Sequence, residues 1–176
     1  IYIHPLVKDE KGEKMSKSRG NVIDPIEMAK IYGSDSLRFT LANLSTQGRD
    51  IKLSNKLVEN SRNFITKIWN VARFYEFNDF SLDKKYNFKN NKLPINNWMI
   101  FRLNETKKKI LKNLSEYKFN LLLNELYHLV WNDFCDLYLE FCKIYLRDEK
   151  NKKEISSNFS QLFKAVLNFL NPIIPF

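Results

Sequence analysis

The stretch GEKMSKSRGN, residues 12–21, sets Lys14, Ser16, Lys17 and Ser18 between Gly12 and Gly20. The whole chain has only 4 glycines in 176 residues, so two of them around one cationic segment single it out. Ammonium groups on a mobile loop can approach charge that develops on a phosphate, while hydroxyls and backbone N–H groups add hydrogen bonds to it. They speed the loss of pyrophosphate only where they hold the transition state more tightly than the bound substrate. A loop that closes for the chemical step and opens for product release suits that task. The G-x-x-x-x-G-K-[ST] spacing of a Walker loop is missing. From the residues alone, the segment also reads as an ordinary exposed loop.

Other chemistry finds little support. Cys135 and Cys142 are seven residues apart in what reads as one helix, about 10 Å at ~1.5 Å rise per residue, too far for a disulfide. With these two cysteines and only His4 and His128, no metal site of the usual type is expected. The formal charge is +9, from 29 Lys+Arg against 20 Asp+Glu, which suits a polyanionic partner or a solubilising lysine surface. No uninterrupted apolar run approaches the ~20 residues of a membrane span, so a reducing, cytoplasmic setting is expected. The apolar ends, Ile1 and NPIIPF, read as those of a piece cut from something larger.

The elements that must position the loop read as mainly helical. Residues 1–7, IYIHPLV, form the one expected strand, and 8–21 the loop. Asp24 and Pro25 predict a helix start, Gly33 its end, and Ser34 or Asp35 the cap of a next helix carrying Leu37, Leu41 and Leu44. After the connector 45–53, Ser54 is expected to cap a long helix with Leu57, Val58, Ser61, Ile65, Ile68, Trp69, Ala72 and Tyr75 on its inner stripe. Residues 78–94 read as an irregular connector. A helix over 95–114 then turns Met99, Leu103, Thr106, Ile110 and Leu114 inward, with Glu105 spaced to pair with Lys108 and Lys109.

The longest helix is expected over about 118–147. Its stripe is Leu123, Leu126, Tyr127, Val130, Phe134, Leu137, Tyr138 and Phe141, broadened by Leu122, Leu129, Trp131, Cys135 and Leu139, with Glu125, Asp133, Asp136 and Glu140 on the far side. A charged spacer, 147–154, precedes a last helix with Phe159, Leu162, Phe163, Val166, Leu167 and Leu170, ended by Asn171-Pro172. The fold class is therefore a mainly α, antiparallel helical bundle preceded by a short strand and a loop. No repeat of 20–50 residues is apparent.

KMSKS, residues 14–18, with RGNVIDP after it, resembles the second signature of class I aminoacyl-tRNA synthetases. YGSDSLRFTLANLSTQGRDIKLS (32–54), VENSRNFITKIWNVARF (58–74) and WNDFCDLYLEF (131–141) are similar to the valine branch of that family. The resemblance implies ligation of valine to tRNA(Val) through valyl-adenylate, using ATP with magnesium. It implies that Lys17 stabilises the departing pyrophosphate with Lys14 in support, and that Lys14, Met15, Ser16, Lys17 and Ser18 contact ATP. It also implies two parts, 1–53 with the signature loop and stem-contact region, and 54–176, an anticodon-binding helical bundle (the class Ia type). Pro5 departs from the family's usual glycine, and Ser34 and Ser36 from common alanines. The His-Ile-Gly-His signature and the nucleotide-binding sheet are not in this stretch, so the piece is not expected to activate valine alone.

RNA is recognised specifically at unpaired bases that stack on aromatic or arginine planes, with phosphate contacts fixing position. Arg49, Arg62, Arg73 and Arg102 are the candidate tRNA-binding residues, with Lys107, Lys108, Lys109 and Lys112 as a diffuse attractor. Trp69, Trp98 and Trp131 read as core, and Arg38 as a tie to a neighbouring helix. No membrane partner is expected, and a monomer is. The alternative reading is a stand-alone RNA-binding helical module, or a bundle whose positive charge is incidental.

Overall fold

The computed structural model describes residues 3–83, 85–87, 89 and 91–176. The expected strand over 1–7 shrinks to β1, Val7–Lys8, with residues 1 and 2 outside the described residues. β1 pairs in parallel with β2, Ile51–Lys52, in the register Val7↔Ile51 and Lys8↔Lys52. Two residues are too few to show an alternating pattern, so β2 reads as connector in the sequence. The amides of Ile51 and of Leu53, just after β2, donate to the Leu6 and Lys8 carbonyls at 2.8 and 3.0 Å.

Helix α1 spans Pro25–Tyr32 and begins as expected: proline occupies the first turn, and Asp24 Oδ1 accepts from the Ile26 amide at 2.8 Å. Gly33, at φ 91°, closes α1 and itself forms the entry to α2, Ser34–Leu44. Ser34 and Asp35 therefore lie within the first turn of α2, and no side chain caps its start. Helix α3 covers Asn55–Phe77, and Ser54 makes no side-chain capping bond. The expected inner stripe is rotated. Val58, Ser61, Phe64, Ile68 and Val71 are buried, whereas Trp69 is 68% exposed. Phe64 takes the inward place because it slots between Phe39 at 4.9 Å and Tyr127 at 5.0 Å, ring centre to ring centre.

Helix α4, Pro94–Ser115, buries Asn96, Met99, Thr106 and Ile110, and leaves Leu114 largely exposed in its last turn. α5 (Phe119–His128) runs without a break through a π-helical stretch, Leu129–Tyr138, into α6 (Leu139–Tyr145). The wider π turn delays the rotation of successive side chains. A stripe wound at α-helical spacing therefore misplaces the far end. Leu137 and Phe141 are 45% and 44% exposed, and Leu139 and Cys142 take the interior at 8% and 0%. Helix α7, Glu149–Leu170, starts inside the expected spacer because Asp148 accepts from the Lys150 amide and caps it. Its Ile155, Phe159, Leu162, Phe163, Val166 and Leu170 are buried.

Two apolar clusters result. The larger joins α3 to α7 around Phe64, Met99, Leu126, Phe134, Tyr138 and Phe159. The smaller gathers Met28, Leu37, Ile51, Leu53 and Val58, with Met15, Ile23, Tyr32, Leu41 and Leu44 against it. α2 serves both, Leu37 facing the small cluster and Phe39 the large one. A buried hydrogen bond, Thr40 Oγ1 to Ser61 Oγ at 2.6 Å, fixes α2 to α3. Arg38 ties α2 to the far end of the chain, its Nε and Nη2 donating to the carbonyls of Ile173 and Pro172 at 2.8 and 3.2 Å.

Candidate functional site

Residues 8–21 form a hydrogen-bonded hairpin rather than an open loop, and Asp9 is its pivot. The Asp9 amide donates to the Glu13 carbonyl at 3.1 Å, and the Asp9 carbonyl accepts from Gly12 at 2.9 Å. Asp9 Oδ1 accepts from the Glu13 amide at 2.7 Å, and Oδ2 from Asn21 Nδ2 at 2.8 Å. The Asn21 bond above all, then the backbone amides, favours the charged carboxylate and holds Asp9 below the usual aspartate range. Gly12 has φ 84°, a turn geometry that a side chain would strain.

Asn21 closes the other end. Its Nδ2 also reaches the Lys14 carbonyl at 3.3 Å, and its Oδ1 accepts from the Ser16 amide at 2.9 Å. Between these anchors, Lys17–Arg19 form one 3-10 turn that ends on Gly20 at φ 67°. The hairpin rests on the sheet, with Lys8 bridged to Lys14 in the backbone and Lys8 Nζ on Asp50 Oδ2 at 2.7 Å.

Lys14 and Lys17 are both exposed, and neither ammonium group has a carboxylate partner among the described residues. Arg19, by contrast, lies 3.4 Å from Glu13 Oε2. Ser16 and Ser18 face one another, Oγ to Oγ 3.2 Å. Met15, between the two cations, packs against the small apolar cluster, so its side chain anchors the loop from below. Two cations thus stand above an apolar footing, Lys14 on backbone pinned by Asn21 and Lys17 on a turn held at its two ends. Asp9 and Asn21 are the residues that sequence reasoning missed. Their signal was turn chemistry: aspartate three before Gly12, and asparagine directly after Gly20.

The arginine candidates do not converge. Arg49 lines a groove with His4, Pro5 and Asp50, in a turn through Gly48. Arg62 and Trp69 line a groove of about 380 Å³ with Asp35 and Phe176, and Arg73 lines another with Asn70, Phe74 and Phe77. Arg62, Trp69 and Arg73 are all exposed on α3. Their spacing of seven and then four residues puts them on one helix face, about 16 Å long at ~1.5 Å per residue. Arg102 is engaged elsewhere, its Nε and Nη2 on Asp133 Oδ2 at 3.0 and 2.9 Å. Of the expected Glu105 pairs, Lys108 forms at 2.7 Å, while Lys109 turns to Glu125 at 3.0 Å. Trp98 and Trp131 pack on the large cluster, and Lys67 sits 3.9 Å above the Trp131 ring.

Among the described residues no three His, Cys, Asp or Glu side chains converge on a metal position, and no helix is long and apolar enough to cross a membrane. Both cysteines are buried free thiols, Cys142 pushed up to about 12 by burial.

Comparison with known proteins gives two family matches: tRNA synthetases class I (I, L, M and V) over residues 1–54, and the anticodon-binding domain of tRNA ligase over 96–176. A valine--tRNA ligase of Pelagibacter ubique is 45% identical over the whole chain, and one of Helicobacter pylori 43%. The chain spans about a fifth of the length of these relatives. Among solved structures, a LeuRS–tRNA–LeuAMS ternary complex from Agrobacterium radiobacter has TM-score 0.77 at 18% identity, covering 99% of this chain and 21% of that one. A Mycobacterium tuberculosis methionyl-tRNA synthetase bound to methionyl-adenylate also gives 0.77 at 18%, covering 98% and 35%. Both likenesses establish the fold.

Proposed function

Since the chain belongs to the class I aminoacyl-tRNA synthetases, we propose that it supplies the phosphate-contacting loop and the tRNA-binding helices of a cytoplasmic valine--tRNA ligase. That enzyme would attach valine to tRNA(Val) through valyl-adenylate. We divide the chain at 53/54, the first part presenting the loop and the second the anticodon-binding body.

The observation that carries this reading is the pair of unpartnered cations. Lys14 and Lys17 are exposed and face no carboxylate among the described residues, so their charge is available to a polyphosphate. Lys17, on the turn, would follow the negative charge as it moves onto the leaving pyrophosphate, and Lys14 would support the same charge. The Ser16 and Ser18 hydroxyls would donate hydrogen bonds beside them. Met15 would contribute footing and its backbone. Magnesium would enter with the nucleotide.

For tRNA, the exposed face Arg62–Trp69–Arg73 joins two guanidinium groups to a flat ring at a spacing that suits stacked bases and their phosphates. Arg49 would add a phosphate contact near the sheet. Arg102, committed to Asp133, would serve the fold first.

The test is valine-dependent ATP–pyrophosphate exchange in a full-length ligase carrying this segment. Lys17→Ala should lower kcat by on the order of 10²-fold or more while the KM for valine stays within about twofold. Equal losses in both would replace the transition-state role with a folding one.

A further inference from the structure

Both lysines owe their placement to one side-chain contact outside the signature itself. We propose that Asp9 and Asn21 are a positioning pair for the reaction, a clasp that sets where Lys14 and Lys17 stand relative to the phosphates. The inference rests on the reading of the loop given above.

A segment flanked by two glycines has many conformations, and a cation free to sample them would spend little time at the place where charge develops. The Asn21 carboxamide removes most of that freedom with three bonds. It donates to Asp9 Oδ2 at 2.8 Å and the Lys14 carbonyl at 3.3 Å, and accepts from the Ser16 amide at 2.9 Å. The backbone of Lys14 and of Ser16, on either side of Met15, is thereby fixed from one side chain. Asp9 in turn is fixed by the Glu13 amide at 2.7 Å and by the turn to Gly12. The backbone it belongs to continues from β1, whose partner β2 inserts Ile51 into the small cluster. A continuous path thus leads from apolar packing through Asp9 and Asn21 to the two cations. The turn Lys17–Arg19 starts directly from the fixed Ser16 and ends on Gly20, next to Asn21, so the clasp holds both of its ends.

The clasp is polar and directional, so it has a rescue. In the double variant Asp9→Asn with Asn21→Asp, the amide and the carboxylate change places. Residue 9 keeps an oxygen for the Glu13 amide and donates across the gap, and residue 21 keeps an oxygen for the Ser16 amide. Only the longest of the three Asn21 bonds, to the Lys14 carbonyl, is lost.

In the full-length ligase, Asn21→Ala and Asp9→Ala are each expected to lower kcat for ATP–pyrophosphate exchange by on the order of tenfold to a hundredfold. The KM for valine and the melting temperature should remain those of the parent. The exchanged double variant should recover most of the loss that Asn21→Ala shows. Single variants within about twofold of the parent, in an enzyme whose Lys17→Ala variant is impaired, would overturn the clasp and leave the loop's role standing. A double variant as slow as the singles would also overturn it, as would a kcat loss matched by equal losses in valine KM and heat stability. A Lys17→Ala enzyme of parental speed would instead remove the reading of the loop on which the clasp depends.

Discussion

Arg102 holds Asp133 by two nitrogens on a single oxygen, at 3.0 and 2.9 Å, across the seam between α4 and the π-helical stretch. The aspartate is mostly withdrawn from water and the arginine only partly so. The pair therefore lies between a surface ion pair and a buried one.

Removing either partner should loosen that seam. A double-mutant cycle with Arg102→Ala and Asp133→Ala, read by urea denaturation, is expected to give a coupling of about 1 kcal/mol. Arg102→Ala should leave the salt dependence of tRNA binding unchanged. A coupling near zero, with tRNA binding lost, would return Arg102 to the RNA surface.

Glu154 reaches from α7 to the start of α4. Its carboxylate accepts from the amides of Lys92 and Leu93 at 3.1 and 2.9 Å and from Asn96 Nδ2 at 2.9 Å, and Asn96 Oδ1 accepts from the buried Tyr138 hydroxyl at 2.8 Å. The entry to α4, its preceding amides and the first-turn Asn96 side chain, is thus held by another helix. Glu154→Ala should cost about 2 kcal/mol in a denaturant melt, as the two amides before α4 and the Asn96 side chain lose their acceptor. Glu154→Gln, which keeps one acceptor oxygen, should cost less; equal costs would assign the effect to packing.

The α3 face separates charge from stacking. Arg62→Ala and Arg73→Ala should each reduce the slope of log K against log salt for tRNA binding by about 1. Trp69→Ala should weaken binding by about 1–3 kcal/mol with the slope unchanged. Fluorescence anisotropy over a range of salt concentrations would read both, and parental slopes in the arginine variants would remove this face from the interface.

Asp9 titrates below the usual aspartate range because its charged form receives the Asn21 hydrogen bond. The folded value is below the unfolded one, so the clasp's contribution is complete above the unfolded pKa and is lost as pH falls through the folded one. NMR of the chain should show Asp9 moving up toward the ordinary value in Asn21→Ala. An Asp9 titration indifferent to that substitution would mean the contact is not made in solution.

How much of this the sequence disclosed depended on range. Asp24-Pro25 and Gly33 announce α1 because capping and helix ending are settled within a few residues. The inner face of α3 was misjudged because Phe64 and Trp69 are both large and apolar, and only the Phe39–Tyr127 slot decides between them. The π turn hid for a similar reason: Leu137 and Leu139 are alike in composition, and a change in winding leaves no mark on either. Lys14 and Lys17 stood out by charge and flanking glycines. Asp9 and Asn21 did not, since twelve positions separate them and the hydrogen bond between them belongs to the folded chain.

Met15 has a practical consequence for anyone exchanging parts between related chains. Its side chain is lodged among Leu37, Ile51, Leu53 and Val58, contributed by residues up to forty-three positions further on. A graft that swaps only the signature would seat a foreign methionine on native neighbours, or the reverse. The natural joint for such a chimera falls beyond Val58, so that the methionine travels with its own seat.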